Sequence, residues 1–303
     1  MKQSLILWVV AFIITVLSAL YQFMTGPSYP ARGSLQFNGK QISYTLNRSH
    51  AGSTNCPVVV TTNDESVQGV LEWKRYKSDD PWTSQKMTFQ NNTLVGELPA
   101  QPPAGKLEYH VKLSDGTESQ NLPENESVVV RFHGDIPPYI LIPHILAMFG
   151  GMFLSARTGI ESLRKNPNLK KLIIVTVMLL LVGGFILGPI VQWFAFNAFW
   201  TGWPLGHDLT DNKTAVAIVA WIVALAMLKR SKKPHRWALG AAIVTLVVYL
   251  IPHSVLGSEI EYKKVEQNTT TLHTVNERAA NLCTRQSRMH PRLNLYTASD
   301  FNG

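Results

Sequence analysis

Apolar residues along this chain are gathered into five long blocks, with polar stretches filling the gaps between them. The first covers residues 5–24, directly after Lys2. About 20 consecutive apolar residues are enough for a helix to cross the hydrocarbon core of a bilayer, so this block predicts an anchor helix. A cleaved signal has a shorter apolar core and a small-residue cleavage site. Ser18-Ala19-Leu20 fits such a site poorly, and the anchor is therefore expected to remain on the chain. Four more blocks follow, at residues 138–156, 172–191, 214–228 and 237–253. The block at 214–228 is short for a span unless it extends back into Asp211-Asn212-Lys213. Drawn this way, spans three and four carry no charge, and no broken pair of helices repeats, which gives a transport role little support.

Between the first two blocks the period changes. In Leu107-Glu108-Tyr109-His110-Val111-Lys112-Leu113 every second residue is apolar, the period of a half-buried strand. Residues 41–46, 57–61, 70–76 and 126–131 read the same way. Turn signals separate them: Asn38-Gly39, Pro102-Pro103-Ala104-Gly105 and Ser114-Asp115-Gly116. A series of short strands of this kind predicts a two-sheet β-sandwich. With Trp73 in a central strand, the Leu98-Pro99-Ala100 step and Tyr109 inside the clearest strand, the region resembles an immunoglobulin-like or fibronectin type III domain. That resemblance implies a binding or spacing module and no particular chemistry. The paired cysteines of antibody domains are missing.

The net charge of +8 comes from 28 Lys and Arg against 20 Asp and Glu. No nucleic-acid motif accompanies it. Its distribution instead orients the chain in a membrane, because basic loops stay on the cytoplasmic side. Residues 157–171 hold five basic residues and one acid, and residues 229–236 hold five and none. The link at 192–213 has a single Lys against Asp208 and Asp211. The β region and the polar tail are then expected outside, although six Lys or Arg in the tail pull the other way. The 2 cysteines, Cys56 and Cys283, rule out a disulfide framework and a Cys-rich metal cluster. Either a disulfide between them or two free thiols fits this topology.

Candidate chemistry gathers at the outer face. His144 falls near the start of span two and His253 at the end of span five, each behind the same Ile-Pro pair. His207 sits in the link beside Asp208, with Asp211 close by. An ionisable group within a span is a functional candidate by default. Two imidazoles can ligate a haem iron, and imidazole with carboxylate suits zinc, copper or iron. An outer β domain ahead of a bundle with His144 and Met148 four residues apart also resembles the two-haem membrane cytochromes b that reduce ferric iron. That family places histidines on both sides of the membrane, and here spans three and four contain none, so the resemblance implies at most one haem b. The competing reading is structural: interfacial histidines bonded to water or backbone, Pro143 opening helix two, and Asp211 capping helix four with Asp208 just ahead.

The link also carries Trp193, Phe194, Phe196, Phe199, Trp200 and Trp203 within eleven residues. These suit an aromatic belt, a partner contact or a lid. Gly150-Gly151 and Gly183-Gly184 suit close helix packing. No phosphate loop, zinc-protease helix or nucleophile elbow is present.

The expected architecture is a membrane α-helical plus β protein of five spans. Its parts are an anchor (1–25), an extracytoplasmic β-sandwich (26–135), a four-helix transmembrane domain (136–258) and a polar tail (259–303). The expected role is an accessory, scaffold or assembly subunit of a bacterial inner membrane, its β domain in the periplasm, with enzymatic activity left open. It would meet the bilayer and other membrane or envelope proteins, with Trp193, Trp200 and Trp203 as contacts. The alternative is a redox protein with haem b or a metal ion at His144 and His253, or a metal at His207, Asp208 and Asp211.

Overall fold

The structure, a computed structural model, describes residues 2–206, 208–252, 260 and 262. Helix α1 (Lys2–Thr25) leads into eleven strands among the described residues. These are β1 (Ala31–Phe37), β2 (Lys40–Leu46), β3 (Ser49–Ala51), β4 (Cys56–Thr61), β5 (Gln68–Arg75), β6 (Thr83–Lys86), β7 (Thr88–Gln90), β8 (Thr93–Leu98), β9 (Lys106–Ser114), β10 (Ser119–Leu122) and β11 (Val128–His133). The helical region follows as α2 (Pro138–Glu161), α3 (Lys170–Leu180), a π-helical turn (Leu181–Leu187), α4 (Gly188–Phe196), α5 (Leu209–Arg230) and α6 (Pro234–Leu250).

The strands form two sheets, β1-β2-β4-β8-β7 and β3-β11-β9-β5-β6, with β10 paired to β9. Leu107, Tyr109, Val111 and Leu113, the alternating set of the sequence, are the buried face of β9. They share one core with Val58 and Val60 of β4 and Leu94 and Leu98 of β8, which belong to the other sheet. Trp73 packs against this core only partly buried. The Tyr109 hydroxyl donates to the Asn47 carbonyl at 2.7 Å, and burial pushes the phenol well above its ordinary pKa. Cys56 is fully buried, and desolvation pushes its thiol up to about 11. A thiol held neutral in this way is a poor nucleophile. Cys283 lies outside the described residues.

The turns follow local chemistry. Asn38 and Gly39 both take positive φ (48° and 71°) between β1 and β2, where Phe37 pairs with Lys40. That is the two-residue primed turn Asn-Gly favours. Asn91 and Asn92 repeat it between β7 and β8 at φ 49° and 64°.

Four helical stretches, Ser4–Thr25, Pro138–Glu161, Lys170–Phe196 and Leu209–Arg230, are long and apolar enough to cross a membrane, and Pro234–Leu250 is a shorter apolar helix. The chain thus combines a β-sheet domain with an N-terminal and several C-terminal apolar helices. Small side chains fill most buried positions of α6, Ala238, Ala241 and Ala242 among them, and in α5 Ala217 and Ala224 are buried beside Ile218 and Trp221, whereas Val219, Ile222, Ile243 and Val247 face outward. Small residues let backbones approach where no hydrophobic force draws helices together. The glycines do the same: a Cβ on Gly151 would stand 2.7 Å from Leu180 Cδ2, and one on Gly159 2.7 Å from Ala242 Cβ.

Three boundaries differ from the sequence reading. Helix α2 starts at Pro138, so Pro143 and His144 are internal to it. The fourth apolar helix is not short, because Asp211-Asn212-Lys213 form its first turns. The fifth is the short one: Ile251 is extended (φ −70°, ψ 119°), as expected of a residue preceding proline, here Pro252.

Candidate functional site

The long helix formed by α3 and α4 contains Pro189, which has no N–H to give and crowds the preceding turn. The π-helical turn just upstream accommodates it, as such bulges commonly do at kinks. The Gly188 N–H bonds the Gly183 carbonyl in this widened turn, and His144 Nδ1 reaches the same oxygen at 2.9 Å. A carbonyl only accepts, so Nδ1 carries the proton. The lone pair is then on Nε2, the arrangement found when a histidine is oriented by a backbone group to serve another partner. Gly183 and Gly184 make the approach feasible: a Cβ on Gly183 would meet Met148 Sδ at 2.9 Å, and one on Gly184 would meet Thr214 Cγ2 at 2.5 Å.

The start of α5 supplies the polar groups. Asp208 is its N-cap, accepting from the Thr210 N–H at 2.7 Å. Capping therefore falls three residues earlier than the sequence reading put it. Asp211 turns back instead and accepts the Thr201 and Gly202 N–H groups at 2.7 and 3.0 Å. Asn212 Oδ1 accepts the Trp203 N–H at 2.7 Å. Gln192 donates to Thr201 Oγ1 at 2.6 Å. The link at 197–206 is thereby pinned to the helix that follows it. The Asp211 contacts give a direct expectation. Asp211→Ala strands two amides and frees the link, costing about 1–3 kcal/mol; cleavage by added protease within 197–206 would report it, and a link as resistant as wild type would refute it.

Lys213, one turn on, is 8 % exposed and donates from Nζ to the Ile251 carbonyl at 2.7 Å. Gln22 of α1 donates to the Tyr249 carbonyl at 3.0 Å in the same region. The C-terminus of α6 is thus capped by side chains of two other helices. Tyr249 donates its hydroxyl to the Met148 carbonyl at 2.9 Å.

These groups surround a cavity of about 400 Å³ where the β domain meets the helix ends. Ser49, Arg131 and His133 line it from the β domain; His144, Gln192, Asp208, Asp211, Lys213 and Tyr249 line it from the helices. Leu141, Ile145, Met148, Phe149, Val191 and Val248 give it apolar walls. The junction above it is close. Gly134 N–H donates to the Ala195 carbonyl at 2.9 Å, and the Arg131 guanidinium lies over the Phe196 ring at 3.9 Å.

Of the residues singled out by sequence, His144, Asp208 and Asp211 come to this one cavity. His207 and His253 lie outside the described residues. Among the described residues no three His, Cys, Asp or Glu side chains group to hold a metal. Of the aromatic residues of this stretch Phe196 lines the cavity, whereas Trp193, Trp200 and Trp203 do not. Trp193 lies in the last turn of α4, not in a loop, and stacks on Phe199 at 4.5 Å. Trp200 leans on Phe185 and donates to the Trp203 carbonyl at 3.2 Å. Trp203 and Leu205 are 75 % and 78 % exposed. Sequence reasoning passed over Lys213, Gln192, Arg131 and Tyr249. For Lys213 the signal is a charge at the edge of an apolar block, a pattern that reads equally as a flank. Comparison of the chain with protein-family models, with curated proteins and with solved structures finds no match.

Proposed function

We propose that this chain is a five-span membrane protein with a β-sandwich domain on the outer side, and that it binds a small amphiphilic molecule where that domain meets the bundle. The observation that carries the reading is the cavity. The larger part of its surface is apolar, and polar groups converge on it from two structural layers, the usual character of a small-molecule site. Its place between membrane-length helices and a polar domain suits a ligand with one apolar and one polar end. The orientation rests on Arg164 and Lys165 after α2 with Lys170 and Lys171 at the start of α3, and on Lys229 and Arg230 at the end of α5 with Lys232 and Lys233 after it. Both groups lie at helix ends away from the β domain, where the positive-inside rule expects cytoplasm.

Native mass spectrometry of the detergent-purified full chain tests the binding. The wild-type protein is expected to retain an amphiphile of a few hundred daltons, and Val191→Trp, which fills the cavity, to lose it. A wild-type chain that never carries bound mass would sink the reading.

A second reading follows from the exposed aromatic ledge of Trp193, Phe199, Trp203 and Leu205. Held by Asp211 and Asn212, it is preorganised for contact, which supports an accessory or assembly role with a membrane partner. Co-purified subunits that are lost in Trp203→Ser would favour this role. A chain that purifies alone under gentle extraction would count against it.

A further inference from the structure

Lys213 is a buried charge at this site that touches no carboxylate among the described residues. It is 8 % exposed, lines the cavity and lies in the first turns of an apolar helix. Its Nζ gives one hydrogen bond, to the Ile251 carbonyl, and among the described residues it forms no ion pair. An ammonium has three N–H donors. The α6 C-terminus and the more distant Asp208 offset part of the burial, yet a buried charge without a counter-charge in contact remains costly. Asp208 attracts Lys213 across the cavity without an ion-pair contact, and the oxygens of both nearby carboxylates are bonded to other groups. Asp208 caps α5 and Asp211 is held by two backbone amides.

From the β domain, Arg131 brings a second fixed cation to the same cavity. The apolar wall runs the other way. Leu141, Ile145 and Phe149 of α2 line the cavity, and Ile145 and Phe149 are 40 % and 38 % exposed on the helix surface. An acyl chain lying along them continues from the cavity onto a membrane-length helix.

We infer that the occupant is an amphiphile with an anionic headgroup, phosphate or carboxylate, whose oxyanion is the counter-charge of Lys213 and whose tail leaves along α2. This rests on the amphiphile reading above and adds the headgroup charge to it. The simpler role for Lys213, capping α6 alone, predicts no preference for charge in the ligand.

The test is titration of the full chain in neutral maltoside detergent with dioctanoyl phosphatidate, dioctanoylglycerol and inorganic phosphate, for wild type, Lys213→Met and Lys213→Arg. The wild type is expected to bind the phosphatidate at least tenfold tighter than the diacylglycerol. Lys213→Met should erase that preference, and Lys213→Arg, which keeps the charge, should retain it even if the methionine variant fails to fold. Equal affinity for both lipids in the wild type overturns the anionic headgroup but leaves the amphiphile site standing. Tight binding of inorganic phosphate with no gain from acyl chains overturns the amphiphile and leaves a free oxyanion. No binding of any of the three overturns both readings.

Discussion

Gly134→Val is expected to loosen the β domain from the helices and to lower the thermal midpoint of the whole chain. A Cβ at this position would stand 2.2 Å from the Phe194 carbonyl oxygen, a contact no real Cβ makes. The obstacle is helix backbone, which cannot rotate away. The Gly134 N–H also donates to the Ala195 carbonyl at 2.9 Å, so relief of the clash breaks that bond. Overpacking of a rigid site typically costs 1–3 kcal/mol, and loss of a buried hydrogen bond adds about 1 kcal/mol. Because Arg131 over Phe196 and the cavity wall at Ala195 lie on the same junction, ligand retention should fall with stability. A variant with unchanged midpoint and unchanged bound mass would show that the junction is not tight in the membrane.

The second large effect lies at the opposite end of α2. Arg157 and Glu161 form an ion pair at 2.8 Å, with side chains 5 % and 4 % exposed. Arg164 adds a contact to the other Glu161 oxygen at 3.1 Å, and the Arg157 guanidinium lies 5.1 Å over the Trp8 ring of α1. Removing one partner of a buried pair strands the other, at a cost of about 3–5 kcal/mol. Glu161→Gln should therefore be strongly destabilising in a thermal melt. Replacing both residues, Arg157→Leu with Glu161→Leu, should recover most of the loss, since a buried pair exchanged for apolar groups is often near neutral. If the double variant is no better than the single one, the pair is not what holds this end.

Much of the chain was legible from period alone. The strand at 107–113 was visible because its four inward residues are all apolar and all buried, and Asn38-Gly39 announced its turn. Strands β6 and β7 were not visible. Every β6 residue is exposed, so it carries no alternation, and β7 has three residues. Strand β8 hides its alternation because Gly96 takes an inward place, where a Cβ would press on Leu71 and Met87 at 3.2 Å. The length of α5 was obscured by its polar first turn, which folds only because Asp208 caps it and Lys213 finds the end of α6. At the site, His144 stood out as an ionisable residue inside an apolar block. Its orienting carbonyl did not, since that depends on a π-helical turn forced by Pro189 and no hydropathy pattern encodes it. Arg131 and Gln192 were invisible for the same reason: each became part of the site only when distant segments met.

The most direct test of the account is an experimental density map of the full chain in lipid nanodiscs containing anionic lipid. The account predicts elongated density in the cavity, its polar end within hydrogen-bond reach of Lys213 Nζ and its tail along Leu141, Ile145 and Phe149 toward the bilayer. A cavity holding only discrete water-sized peaks, or one closed by repacking of α2 against α4, would contradict it.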